Sequence, residues 1–78
     1  MKIPRDLSGH ELIKALKKLG YYPSRQSGSH IRLSNEHGNH HITIPNHQNL
    51  RIGTLSSILS DVANHLGLTK EELINKLF

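Results

Sequence analysis

Cysteine is absent from this 78-residue chain, so no disulfide framework and no thiolate zinc site can brace it. That usage fits a reducing compartment, and a cytoplasmic location is the expectation. No uninterrupted apolar run approaches the roughly 18 residues that a membrane-spanning helix needs. Met1-Lys2-Ile3-Pro4 carries no apolar signal core, so secretion is not expected either. Tryptophan is missing, and phenylalanine and tyrosine together supply only three rings. Stacking on a nucleobase would therefore fall to Tyr21 and Tyr22, with Tyr21 better placed to serve the core. Internal repeats and low-complexity segments are absent as well. A chain this short forms one small domain, residues 1–78. It buries about 60% of its unfolded surface and has little room for a deep pocket.

The formal charge is +4, and it is unevenly placed. Residues 1–60 carry eight bases (Lys2, Arg5, Lys14, Lys17, Lys18, Arg25, Arg32, Arg51) against three acids (Asp6, Glu11, Glu36). Residues 61–78 carry Lys70 and Lys76 against Asp61, Glu71 and Glu72. A basic body with a mildly acidic tail favours a polyanionic partner for the body. A merely soluble basic surface accounts for the charge alone equally well.

Local pattern predicts the elements. Ser8-Gly9-His10-Glu11 reads as a capping box with Leu7 stapled onto Leu12. The stripe Leu12, Leu16, Leu19, with Ile13 and Ala15 beside it, predicts a helix closed by a left-handed Gly20. Tyr21 to Gln26 predicts a weak strand, on an edge because Pro23 cannot donate to a ladder. Residues 30–34 alternate, Asn35 to Asn39 is turn composition, and His41 to Ile44 alternates again until Pro45 stops it. Leu55, Ile58, Leu59, Val62, Ala63 and Leu66 predict a long amphipathic helix, with Thr54 as N-cap and Gly67 closing it. Gly53 would let the chain turn tightly into that helix, or free amides there would hold a phosphate. A third helix follows from the capping box Thr69-Lys70-Glu71-Glu72, with Leu68 stapled to Leu73 and Ile74, Leu77 and Phe78 extending its apolar face.

The expected fold is α+β: an α-β-β-β-α two-layer sandwich with helices on one face of a three-stranded antiparallel sheet, plus a short C-terminal helix. Pairing Ile31 and Leu33 with Ile42 and Ile44 on the core face leaves His30, Arg32, His41 and Thr43 on the other.

That polar face holds the chemistry. Gly28-Ser29-His30 puts an imidazole at the mouth of a strand, between Arg25 and Arg32. Imidazole exchanges protons near neutrality, and guanidinium grips phosphate with a charged fork. The combination points to a phosphodiester. His37, His40, His41 and His47 are numerous enough to raise a metal site, but they sit in and around a turn without the fixed spacing of a zinc site. A solvated polar loop is the expectation, with no metal and no cofactor.

Leu7-Ser8-Gly9-His10-Glu11-Leu12-Ile13-Lys14, Gly20-Tyr21, Arg25-Gln26, Gly28-Ser29-His30, Thr43-Ile44-Pro45 and Gly53-Thr54-Leu55 together resemble the HicA toxin family. Those are small mRNA interferases of prokaryotic toxin–antitoxin modules. The resemblance covers about residues 7–60, with the helical extension at about 68–78 outside it. It implies a double-stranded-RNA-binding-domain-like fold, endoribonuclease activity on mRNA and neutralisation by a HicB-like antitoxin. The family's catalytic histidine carries over onto His30, which would act as general base or general acid while the RNA 2′-hydroxyl attacks its own phosphate. That route needs no metal. Arg32 is the candidate to stabilise phosphorane charge. Arg25, Gly28, Ser29, Lys14 and Lys18 are the remaining RNA-binding candidates, with Lys17 beside the two lysines. One imidazole cannot be both acid and base in a single step. Water, His41 and the RNA itself all remain open as the second proton carrier.

The chain departs from the family pattern in places. Pro23-Ser24 stands where members often carry aliphatic residues, which predicts a shorter first strand. Ser27 stands where lysine is frequent, so one phosphate-binding charge is missing. The third helix could serve the antitoxin, a dimer or the core alone. The alternative function is a non-catalytic RNA-binding module of the same fold. Double-stranded-RNA-binding domains carry a lysine cluster at the start of the last helix. This chain has Arg51-Ile52-Gly53-Thr54 there, which favours the enzyme. A DNA-binding role lacks any helix-turn-helix cue.

Overall fold

The structure, a computed structural model, describes residues 6–78. Met1 to Pro4, read above for a signal core, and the charges of Lys2 and Arg5 lie outside the described residues. The elements are α1 (Gly9–Lys17), β1 (Tyr21–Ser27), β2 (His30–Asn35), β3 (His41–Pro45), α2 (Ile52–Leu66) and α3 (Lys70–Leu77). The three strands form one antiparallel sheet in the order β1-β2-β3. This is the expected α+β arrangement with the third helix appended.

The first and third helices start where local chemistry satisfies their free amides. Ser8 and Glu11 form the capping box of α1, and Thr69 and Glu72 that of α3. Both carboxyls are held below the usual range because they accept backbone and hydroxyl hydrogen bonds at these caps. Two expected boundaries move. The N-cap of α2 is Arg51, which makes no side-chain capping bond. Thr54 and Gly53 therefore lie inside the helix rather than at its entrance. α1 closes on Lys18 in right-handed geometry, and the left-handed Gly20 completes the turn that follows. Gly67 is the left-handed cap of α2, as its position predicts.

The two faces of the sheet separate as alternation requires. Ile31, Leu33, Ile42 and Ile44 are buried, and they share one core with Leu12, Leu16, Leu55, Leu59 and Val62. Tyr21 joins that core at 2% exposure, so it is not a platform for a base. Leu73, Ile74 and Leu77 join it too, which makes α3 a structural part of the same core. Phe78 and Leu66, assigned above to apolar faces, are exposed at 48% and 38%. Leu50 is buried although no period announces it. It is pinned in the β3–α2 loop by its amide donating to the Leu7 carbonyl at 2.8 Å.

β1 is an edge strand, and Pro23 sits in it where an amide is least needed. It is not shortened: it runs seven residues, with a bulge between Pro23 and Arg25. The bulge and the proline blunt the free edge. No helix among the described residues is long and apolar enough to cross a membrane.

Candidate functional site on the open sheet face

The register builds the open face in rows, because directly opposed residues of an antiparallel pair share a face. Ser27 opposes His30, which opposes Pro45. Arg25 opposes Arg32, which opposes Thr43. Tyr22 opposes Ser34, which opposes His41. His30, Arg25, Arg32, Thr43 and His41 are all exposed. Two arginines thus stand opposed in the middle row, with a histidine in the row on either flank.

Like charges directly opposite on a sheet destabilise it by about 0.2–1 kcal/mol. No acid shares those rows. The ion pairs among the described residues are His37 with Glu36 and His40 with Asp61, so neither arginine is matched by a carboxylate there. An anion over the middle row would relieve that repulsion.

The turn that presents His30 is the two-residue Gly28-Ser29. Gly28 has φ +58° and Ser29 is not in the left-handed region, the pattern of a type II′ hairpin turn. That explains Gly28 by backbone conformation. The Ser29 carbonyl accepts from the Asn46 amide at 2.6 Å. This bond ties the turn to the β3–α2 loop, where Pro45, His47, Asn49, Leu50, Arg51 and Thr54 line a recess of about 310 Å³.

Lys14 and Lys18 are not brought to this face. Lys14 lies on α1 and Lys18 caps its end, in the helical layer across the sheet from His30. There they line a groove of about 300 Å³ with Leu7, Glu11, Ala15, Leu77 and Phe78. Lys18 donates to the Leu77 carbonyl at 3.2 Å, so its charge serves the end of α3. The site candidates that the fold gathers are Arg25, Gly28, Ser29, His30 and Arg32.

The histidines of the turn are not one solvated loop. His40 Nε2 lies 3.3 Å from Asp61 Oδ1, and its Nδ1 lies 2.6 Å from the Tyr21 hydroxyl. A carboxylate can only accept, so Nε2 carries a proton, and in the neutral ring Tyr21 donates to Nδ1. The His40 ring stacks on His65, with centroids 4.2 Å apart. Burial, and then the Asp61 charge, push the Tyr21 hydroxyl above its usual pKa. Buried Asn35 holds the turn with all of its amide capacity. It donates to Asn39 Oδ1 and His65 Nε2, and accepts from the amides of Asn39 and His40. Among the described residues, no three histidine, aspartate or glutamate side chains converge to hold a metal ion.

Local pattern also passed over a hydroxyl chain on the open face. Ser24 donates to the Arg32 carbonyl at 3.3 Å, Ser24 and Ser34 hydroxyls are 2.7 Å apart, and Ser34 is 2.7 Å from His41 Nδ1. Ser34 is only 4% exposed. Its partner His41 was visible in the pattern, since the strands on either side of the turn alternate in phase. Ser24 was not, because the bulge that aims it at Ser34 breaks the alternation.

The chain is thus a small α+β domain with an unmatched basic row and imidazoles on its open sheet face. The family model described as HicA toxin of bacterial toxin–antitoxin matches residues 9–63. That is most of the chain, which therefore belongs to the HicA toxin family, toxin components whose modules include a cognate antitoxin. No curated protein and no solved structure matches the chain.

Proposed function

We propose that this toxin is an endoribonuclease acting on mRNA, with His30 as a proton-transfer catalyst and a HicB-like antitoxin as the partner that silences it. The observation that carries the reading is the middle row of the open face, where Arg25 and Arg32 stand opposed without a carboxylate beside His30. A phosphodiester laid over that row meets two guanidinium forks and places its ester oxygens toward the imidazole. Attack by the RNA 2′-hydroxyl on its own phosphorus then needs a group to take one proton and a group to give another. Arg32 stabilises the charge that builds on the phosphorane oxygens.

An antitoxin that covers the open face would exclude RNA from the arginines and His30 together. The site would work in the cytoplasm, where mRNA is available. A non-catalytic RNA-binding module uses the same arginines but has no need of an exposed imidazole beside them.

The test measures RNA binding and cleavage by purified variants at one salt concentration, with EDTA present. His30→Ala keeps the arginines and the strand, so affinity should survive while cleavage falls by at least ~10²-fold. Arg32→Ala should weaken both, because its charge serves ground state and transition state alike. Wild-type cleavage by His30→Ala refutes the role of His30. Wild-type protein that binds RNA and never cuts it establishes the binding module instead.

A further inference from the structure

We infer that His41 is the second proton-transfer group of the proposed cleavage, acting as its general base, and that Ser34 and Ser24 are positioning residues that set its tautomer. The inference rests on the nuclease reading above and adds a residue and a role to it.

The hydroxyl chain carries a direction. A serine hydroxyl has one proton, and a backbone carbonyl can only accept. Ser24 spends its proton on the Arg32 carbonyl. Its contact with Ser34 is then a hydrogen bond only if Ser34 donates. Ser34, its proton committed, must accept from His41, so Nδ1 of His41 carries the hydrogen. This is the one arrangement in which all three contacts are hydrogen bonds. In the neutral ring it leaves Nε2 of His41 as a bare lone pair, and the residue is exposed on the open face. Taking up a proton at Nε2 leaves the Nδ1 bond to Ser34 intact, so the chain holds the ring in one orientation before and after transfer. His40 contrasts with it, since both ring nitrogens are committed to Tyr21 and Asp61.

The placement suits a pair. His30 and His41 flank the Arg25–Arg32–Thr43 row from opposite sides. Their positions are four residues apart along the ladder and one strand over, about 14 Å between backbones, which the two side chains shorten by leaning over the middle row. An in-line phosphoryl centre with a hydrogen bond at each end spans about 9 Å, and one water in either path brings this to about 12 Å. The titratable and charged groups sharing the face with His41 are Tyr22, Arg25, Arg32 and His30.

The step balances as an intramolecular transesterification followed by reset. Nε2 of His41 takes the 2′-hydroxyl proton, the 2′-oxygen bonds to phosphorus, and the bond from phosphorus to the 5′-oxygen breaks. Protonated His30 gives its proton to that oxygen. The products are a 2′,3′-cyclic phosphate and a 5′-hydroxyl, and solvent returns both imidazoles to their starting forms.

The experiment follows kcat/KM for RNA cleavage against pH in wild type, His30→Ala, His41→Gln and Ser34→Ala, with circular dichroism confirming the fold of each. Wild type should give a bell, with its acid limb set by the base. His41→Gln should lose at least ~10²-fold and lose that acid limb. Ser34→Ala keeps the imidazole but frees its tautomer and orientation, and should lose about tenfold with the bell retained. In His41→Ala, added imidazole should restore cleavage in proportion to its unprotonated fraction. A wild-type rate and unchanged bell in His41→Gln, beside an inactive His30→Ala, overturn this inference alone. A wild-type protein that cuts no RNA overturns the nuclease reading and this inference with it.

Discussion

Gly9 is the first residue of α1, where alanine would ordinarily be an improvement. Alanine is favoured over glycine in a helix by up to about 1 kcal/mol. Here the structure opposes it. A Cβ on Gly9 would overlap the Pro45 carbonyl oxygen and lie 3.3 Å from Asn46 Cα. Both obstacles are backbone, so no side chain can swing away. The Gly9 amide also donates to the His47 carbonyl at 2.9 Å, and relief of the overlap must stretch that bond. Forced overpacking costs about 1–3 kcal/mol, which exceeds the propensity gain. Gly9→Ala should therefore lose about 1–2 kcal/mol, lowering Tm by roughly 4–16 °C for a domain of this size. Gly53→Ala supplies the control, since it lies within α2 with nothing inside 4 Å of the new methyl group. It should gain about 0.4–1 kcal/mol. Thermal unfolding followed by circular dichroism compares the pair. If Gly9→Ala is as stable as Gly53→Ala, the close approach of α1 to the end of β3 is wrong. Pro45 opposes His30, so the same overlap should also disturb the site, and RNA cleavage by Gly9→Ala should fall even where the protein is fully folded.

Leu59→Ala removes a fully buried side chain and should cost about 2–5 kcal/mol. An unchanged urea midpoint would mean that α2 does not pack as described. Asn35→Ala strips the turn of four hydrogen bonds and leaves the Asn39 and His40 amides without their acceptor. About 1–3 kcal/mol should be lost, with faster amide exchange at Asn39 and His40 as the local signature. The carboxyls of Glu11 and Glu72 are held below their ordinary value of 4.5. Their capping stability is therefore present above that value and lost as pH falls through the lowered one. The double variant Glu11→Gln, Glu72→Gln should flatten the stability profile below pH ~4.5 in acid titrations, and an unaltered acid limb would contradict the capping assignment.

Periodicity carried the sequence a long way. Two capping boxes, the stripe from Leu55 to Ala63 and the alternation on either side of the Asn35 turn are local patterns. They determine which residues become helix or strand and which face each presents, because 3.6- and 2-residue repeats act within a few residues. The separation of Ile31 and Leu33 from His30 and Arg32 follows from that alone. So does the turn that brings His30 beside Arg25, once Gly28 supplies the positive φ.

Tertiary structure decided what depends on distance along the chain. Tyr21, His40 and Asp61 meet only when the edge of the sheet packs on α2, so neither the commitment of His40 nor the burial of Tyr21 has a local signature. Gly9 reads as part of a cap, and only the docking of α1 on β3 turns it into a steric requirement. Lys14 and Lys18 share a charge sign with Arg25 and Arg32, but packing places them on the opposite layer of the domain. The Ser24–Ser34–His41 chain depends on a bulge in an edge strand. A bulge arises where pairing, not composition, forces an extra residue, and pairing is a property of the folded sheet.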